Sequence, residues 1–222
     1  MNAALRLLSL VIAGAVLIAL VQQGAARRAD AGGRLTTSDG DTVDITAEAR
    51  AAGLRFAAGV APSDREWILA AIARARPEAA RLIAEVDGLV RVGTFAAGGA
   101  TLGITRSGPH GFTVDLDVGR LDGDRTLDRA TVVLHELGHV VDFALVPAAV
   151  NAALDAQIPR NRPCGQAIDC DRPRERFADT FAKWALKGAV SEVGAGYGIP
   201  LPASLEGWGA PLAQLSFRLA PG

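Results

Sequence analysis

The most regular pattern of hydrophobic and polar positions lies between Thr126 and Val146, in the segment TLDRATVVLHELGHVVDFALV. Apolar residues recur there every three or four positions, which predicts an amphipathic helix with one buried face. Asp128 is expected in its first turn, where a negative charge interacts favourably with the helix macrodipole. Pro147 is expected to end the helix. We take this segment as the centre of the fold.

Two histidines in this helix, His135 and His139, are separated by just over one helical turn. Their imidazoles therefore project from one face and can share a metal ion. Glu136 lies between them but cannot reach the same ion as a third ligand, so its carboxylate is expected beside an open coordination position, where it can accept a proton from water. The alternative is a chance match on a buried helix. The pattern favours a zinc site with Glu136 as general base.

The sequence before this helix indicates two helices and several short strands. Ser63 to Glu66 has the pattern of a capping box at the start of a helix, and Pro77 either kinks that helix or begins a second one that runs to Val86. Residues 27–46 are polar and are predicted to be a linker. Strands are predicted at Leu89–Phe95, Thr101–Thr105 and Phe112–Val118, with at most a short one at Thr42–Ile45.

The strand Phe112–Val118 alternates between apolar and polar residues, as expected when one face lies on a core and the other faces water. A strand of this kind directly before the metal helix can be the sheet edge that binds an extended peptide. The alternative is an ordinary half-buried strand.

After Pro147 the pattern predicts two more helical runs and an irregular tail. The runs are Ala148–Ile158 and Pro173–Lys187, and the second has an apolar side that includes Phe177 and Phe181. The tail from Gly188 is rich in glycine and proline and is expected to wrap over the helices. The whole pattern predicts a single α+β domain over residues 47–222, with a small mixed sheet and a metal-binding helix.

Composition and charge narrow the class of protein. The 222 residues contain 23 Lys and Arg against 24 Asp and Glu, so nothing indicates nucleic acid or a polyanionic partner. The excess of arginine over lysine, with abundant alanine and glycine, is typical of GC-rich bacterial genomes. Cys164 and Cys170 are predicted to form a local disulfide in an oxidising compartment. The alternative is that one of them is a thiolate ligand of zinc.

An apolar run of fifteen residues extends from Leu7 to Val21, which is short for a membrane span and has the length of a signal-peptide core. Small residues at Gly24 and Ala26 fit a cleavage site, so residues 1–26 are predicted to be a signal peptide. The alternative is an uncleaved N-terminal membrane anchor. Either alternative predicts a secreted or membrane-anchored protein whose domain lies outside the cytoplasm.

A catalytic zinc site needs three protein ligands, and no third histidine follows on the metal helix. Glu175 is the best candidate, because it lies beside the apolar stripe of a predicted helix. Asp179 follows one turn later and is placed to accept the second ring proton of a ligating histidine. The alternative for Glu175 is a solvated charge between Arg174 and Arg176. Asp142 either supports a ligand in the same way or only completes the metal helix.

Two motifs together resemble a known group of enzymes. They are HELGHVVD from His135 to Asp142 and ERFADTF from Glu175 to Phe181. They are similar to the gluzincin branch of the zincin metallopeptidases, and most similar to the domain type of anthrax lethal factor and its secreted relatives. The resemblance covers roughly residues 100–187. It implies a zincin-like fold, with His135, His139 and Glu175 as zinc ligands and Glu136 as base.

The sequence departs from that group at one position. The relatives have a tyrosine shortly before the ligand glutamate, which stabilises the oxyanion, whereas residues 148–174 contain none. Tyr197, the single tyrosine of the chain, can supply this group from the tail, or it is a packing residue. His110 and either Arg174 or Arg176 are further candidate donors.

These observations predict an extracytoplasmic zinc peptidase, acting on peptide or protein substrates. The alternative is a secreted or cell-surface module without catalytic activity, in which zinc has a structural role. Glu136 distinguishes the two hypotheses, because a purely structural site does not need a base.

Overall fold

The computed structural model describes residues 34–36, 42–44, 53–97, 101–121, 128–160, 172–188 and 199–219. The strands are β1 (Arg34–Thr36), β2 (Thr42–Asp44), β3 (Arg55–Phe56), β4 (Val90–Phe95), β5 (Gly103–Gly108) and β6 (Gly111–Asp117). The helices are α1 (Pro62–Ala73), α2 (Pro77–Ala84), α3 (Arg129–Leu145), α4 (Ala148–Asp155), α5 (Pro173–Ala185) and α6 (Leu205–Leu219). A 3-10 turn, Asp87–Leu89, precedes β4.

Four of the features predicted from sequence lie outside the described residues. They are the apolar run Leu7–Val21, Cys164, Cys170 and Tyr197. Within the described part of the chain, no helix has both the length and the apolar character needed to cross a bilayer. The strands β1 and β2 pair with each other in antiparallel orientation, inside the segment predicted as a linker.

The main sheet has four strands in the order β3-β4-β6-β5. The strand β4 is parallel to both β3 and β6, whereas β5 and β6 form an antiparallel hairpin. With helices packed against this mixed sheet, the predicted α+β class is confirmed. Of the two alternatives for Phe112–Val118, the sheet edge is excluded, because this segment is β6 and pairs on both sides. The edge strand that packs against α3 is β5.

The helix α3 is buried on all sides, since every residue from Ala130 to Leu145 is buried. It packs against α5, α1 and the strand β5. The prediction of a single buried face was therefore wrong: the polar side of the helix is also covered. Five polar residues lie on that covered side, namely Thr131, His135, Glu136, His139 and Asp142. They form the floor of the site described below.

Prolines, rather than capping side chains, begin three of the helices. Pro62, Pro77 and Pro173 occupy the first turns of α1, α2 and α5, where a missing backbone N–H costs nothing. The predicted capping box at Ser63 was wrong, because α1 starts one residue earlier and no side chain caps it. In α3 Asp128 precedes the first turn and is the N-cap, since its carboxylate accepts a hydrogen bond from the backbone N–H of Ala130.

The tail contains the helix α6, which was not predicted because Gly207, Gly209 and Pro211 lie within it. Tertiary packing stabilises this helix. The indole of Trp208 is fully buried, lies 5.6 Å from the ring of Phe177, and donates a hydrogen bond to the carbonyl of Leu154.

Candidate metal centre

The structure brings His135, His139 and Glu175 together at the junction of α3 and the first turn of α5. The Oε2 atom of Glu175 lies 3.1 Å from Nε2 of His135 and 3.5 Å from Nε2 of His139. The three potential ligand atoms all lie within 4.8 Å of one another. These residues therefore form a group that can hold a metal ion, as the spacing of the two motifs predicts.

The two imidazoles approach each other edge to face, with ring centroids 4.8 Å apart and planes at 87°. This arrangement directs both Nε2 atoms toward the carboxylate of Glu175. The ring of Phe143 stacks on that of His139, with centroids 6.0 Å apart. The donor set is thus two nitrogen atoms from buried histidines and one oxygen atom from the half-buried Glu175.

The electrostatics of the group favour a cation at its centre. Burial opposes ionisation of Glu175, but hydrogen bonds from His135 and His139 hold the pKa of its carboxyl well below the usual range. Burial lowers the pKa of His135, but its hydrogen bond to Glu175 and the charges of Glu136 and Glu175 outweigh this effect, so that the net pKa is raised. The negative charge that stabilises an imidazolium here would also attract a divalent metal ion.

Close contact between two helices places Glu175 opposite the histidines. Gly138 lies between them in sequence, and a Cβ atom there would be 3.2 Å from the backbone Cα of Ala178 in α5. The next residue after the ligand, Arg176, is 2% exposed and donates hydrogen bonds to the carboxylate of Asp155 and to the carbonyl of Ile158. The close approach at Gly138 and the hydrogen bonds of Arg176 together fix the position and the rotation of α5.

Glu136 is not one of the three potential ligands, and its side chain contacts the edge strand β5. Its Oε2 atom accepts a hydrogen bond of 2.7 Å from the hydroxyl of Thr105, which also lies 3.0 Å from the backbone carbonyl of Glu136. Gly103, two residues earlier, leaves the space that the carboxylate occupies, since a Cβ atom there would be 2.5 Å from Oε1. The carboxylate is close enough for its charge to raise the pKa of His135.

The two further aspartates proposed from sequence make different contacts. Asp142 accepts a hydrogen bond of 2.6 Å from the side chain of Asn151, and this bond ties α3 to α4. Asp179 is fully buried and accepts one of 2.5 Å from Lys183, while its charge contributes to the raised pKa of His135. Its Oδ1 atom has no hydrogen-bond partner among the described residues.

The candidate donors for an oxyanion are distributed over the molecule. His110 is exposed at the tip of the β5–β6 hairpin, and Arg176 is committed to its buried hydrogen bonds. The guanidinium of Arg174 lies 5.4 Å from the ring of Phe143, the ring that stacks on His139. Among the described candidates, Arg174 therefore has the contacts nearest to the ligand group.

Sequence reasoning missed three residues that shape the site: Gly103, Thr105 and Gly138. An isolated glycine in a strand or helix can indicate a close approach of another group. That signal was present at Gly103 and Gly138, but it does not say which group approaches. Thr105 had no signal, because its contact with Glu136 depends on which strand is the edge.

No protein-family model matches this sequence, and no curated protein or solved structure matches the chain.

Proposed function

We propose that this protein is a zinc-dependent peptidase with His135, His139 and Glu175 as metal ligands and Glu136 as general base. The observation that carries the proposal is the position of Glu136. Its buried carboxylate lies beside the ligand group without belonging to it, and Thr105 orients it. A structural zinc site is closed by four protein ligands, whereas the described residues here supply three.

The donor set supports zinc as the metal. Two imidazole nitrogens and one carboxylate oxygen are the ligands of one common type of catalytic zinc site. Softer metals prefer thiolates, and calcium or magnesium prefer sites built from oxygen alone. The ionised Glu175 gives the group the net negative charge that suits a divalent ion.

In this proposal a bound zinc ion supplies Lewis acidity toward a substrate carbonyl and lowers the pKa of water. Glu136 accepts the proton of the attacking water and later transfers it to the nitrogen of the leaving amine. Thr105 holds the carboxylate in the orientation for that transfer. Burial of the site between α3 and β5 excludes bulk water and strengthens these charge interactions.

The strand β5 is suited to bind an extended peptide, because no described strand pairs with its outer side. The backbone N–H of Asp117 donates to the carbonyl of Leu102, so Leu102 belongs to a hydrogen-bonded pair of the β5–β6 ladder. Bonding alternates along an antiparallel pair, so the backbone groups of Gly103 and Thr105 point away from β6. A peptide that adds to this edge would pass beside Glu136, which supports peptide-bond hydrolysis. The leader predicted at residues 1–26 supports action outside the cytoplasm.

The decisive experiment compares the parent protein with Glu136→Gln. Zinc content is measured by mass spectrometry, and cleavage of a peptide library is measured with and without chelator. We expect about one zinc per chain in both proteins and a fall in turnover of at least roughly a hundredfold in the variant. Retained turnover in Glu136→Gln would exclude Glu136 as the general base. Zinc bound in the parent without any cleavage would instead support a structural role.

A further inference from the structure

A row of arginines crosses the outer face of the main sheet, opposite the face that packs on α3. In the strand register, Arg55 pairs with Arg91, Arg91 with Thr113, and Thr113 with Arg106. Register partners project from the same face, and all four side chains are exposed. Since neighbouring strands are about 5 Å apart, the Cα of Arg91 lies about 5 Å from that of Arg55 and about 10 Å from that of Arg106.

The positive charges of this arginine row are only partly compensated. Arg106 donates to the carboxylate of Asp115 at 2.8 Å. No described carboxylate lies within ion-pair distance of Arg55 or Arg91. Like charges directly opposite each other on adjacent strands destabilise a sheet. An anion bound between them would remove that repulsion, so the row has the electrostatics of an anion site.

The row lies in a surface groove with a volume of about 530 Å³. Its walls are the three arginines, the tip of the β5–β6 hairpin and the ring of Phe56. The volume is within the range typical of small-ligand sites. A concave surface lined by one sign of charge concentrates the field and attracts oppositely charged ligands more strongly than a flat one.

We propose that this groove binds an acidic peptide segment through Arg55, Arg91 and Arg106. Guanidinium groups bind carboxylates through paired hydrogen bonds. On an extended peptide, side chains of one face repeat about every 7 Å. This repeat lies between the separations of about 5 Å and about 10 Å in the arginine row. Flexible arginine side chains can therefore form ion pairs with successive carboxylates.

Three observations favour a polypeptide over a nucleic acid or an anionic bilayer. The chain as a whole has a net charge of −1, so it lacks the long-range attraction that proteins use to bind those polyanions. Of the two phenylalanines that line the groove, Phe56 lies under the guanidinium of Arg65 at 5.6 Å and Phe112 is buried, so neither ring offers a free face for base stacking. Arg106 also directly follows Thr105, the partner of Glu136.

Because Arg106 directly follows Thr105, which contacts Glu136, we identify the acidic segment as part of the substrate. A chain bound along β5 at the metal centre reaches the groove within a few residues. This identification rests on the proposed peptidase function, whereas the binding of acidic peptide to the groove does not.

The test measures binding of fluorescein-labelled hexaglutamate to the full-length chain carrying Glu136→Gln, so that no cleavage interferes. Fluorescence polarisation should show binding that weakens with salt. Arg91→Glu and Arg55→Glu should each weaken it by roughly fivefold to tenfold. Arg218→Glu, near the end of α6, makes the same change in net charge away from the groove and should leave binding unchanged. Labelled hexaglutamine should not bind.

Equal hexaglutamate affinity in the parent and both groove variants would overturn the proposal, as would an absence of binding by the parent. Arg91→Gln is the second variant if Arg91→Glu misfolds. A single-stranded oligonucleotide and vesicles of anionic phospholipid are tested in parallel. Tighter binding of either, with the same dependence on Arg91, would overturn the assignment to a polypeptide. Because no hydrolysis is read, these results do not depend on whether Glu136 is catalytic.

Discussion

The carboxylate of Glu136 and the hydroxyl of Thr105 are 2.7 Å apart, although 31 residues separate them in the chain. Their hydrogen bond joins the helix that carries the histidines to the edge strand of the sheet. One oxygen of the Glu136 carboxylate accepts this hydrogen bond, and the direction of the other oxygen is thereby fixed. A peptidase would need to align its base with the bound substrate. This hydrogen bond directly links Glu136, the proposed base, to β5, the strand proposed to bind a peptide.

Removing this hydrogen bond should reduce turnover without removing metal. We expect Thr105→Val to lower kcat by ten- to a hundredfold, because a small displacement of a catalytic group has an effect of that size. Thr105→Ser keeps the hydroxyl and should restore most of the loss. Zinc content should be the same in both variants. Parental kcat in Thr105→Val would show that the hydroxyl does not orient the base.

A methyl group at Gly103 should displace the same carboxylate. In Gly103→Ala the new Cβ would lie 2.5 Å from Oε1 of Glu136, and the flexible end of that side chain can move away. We therefore expect a strong loss of turnover with a change in melting temperature of only a few degrees. Gly59→Ala is the matched control, since a Cβ there meets nothing within 4 Å. Similar kinetics in the two variants would refute the displacement.

The carboxylates of Glu175 and Asp179 in α5 should differ in their effect on metal affinity. Glu175→Ala leaves two histidines, so zinc should be lost to mild chelation. Asp179→Ala removes a charge outside the ligand group and should lower affinity by about ten- to a hundredfold, with zinc still bound at saturation. Asp179→Asn preserves the packing around Lys183 and separates the charge effect from the structural one. Competition with a chromophoric chelator measures all three, and full zinc occupancy in Glu175→Ala would exclude it as a ligand.

The contact between α3 and α5 at Gly138 should tolerate no side chain. In Gly138→Ala the Cβ would lie 3.1 Å from the ring of Phe181 and 3.2 Å from the backbone of Ala178. We expect a loss of about 1–3 kcal/mol in the free energy of unfolding and weaker zinc binding, because α5 carries Glu175. Gly207→Ala in α6 is the control for helix propensity, since its neighbours are side-chain atoms of Ser204. Urea unfolding measures the change in the free energy of unfolding, and equal stability of Gly138→Ala and the parent would contradict the prediction.

Arg76 connects three helices and should make stability depend on pH. Its guanidinium forms two hydrogen bonds of 2.9 Å with Glu206 and lies 4.8 Å from the ring of Trp184. The hydrogen bond from Arg76 lowers the pKa of Glu206, so its contribution is present above the unfolded pKa and is lost as pH falls through the folded one. Glu206 is exposed, so Glu206→Gln should cost at most about 1 kcal/mol at neutral pH. The difference should shrink as the pH falls through the folded-state pKa of Glu206, and a difference that does not change with pH would refute the coupling.

The sequence was most informative where local spacing determines geometry. His135 and His139 had to share a face because the helix fixes their separation. Glu175 was identified because a carboxylate beside an apolar stripe is unusual on a helix. The elements that carry these residues could be predicted for the same reason, since their hydrophobic periods are local properties of the chain.

What could not be predicted depends on contacts between distant segments. The order of the strands, and therefore the position of β5 at the edge, is set by pairing between β4 and β6 rather than by either sequence. The helix α6 contains residues of low helix propensity and forms because Trp208 is buried between other helices. The complete burial of α3 depends on α1, α5 and β5, which pack against it. The hydrophobic pattern of its own sequence predicts only one buried face.

The burial of α3 also limits how this protein can change. A substitution between Ala130 and Leu145 that changes the volume of a side chain alters the interior of the molecule together with the floor of its site, so such variants should lose folding and chemistry together. The first turn of α5 and the edge strand β5 are more tolerant, because several of their residues face solvent. Altered specificity, whether selected in nature or in the laboratory, should therefore arise in β5 and at the start of α5, while α3 stays nearly invariant.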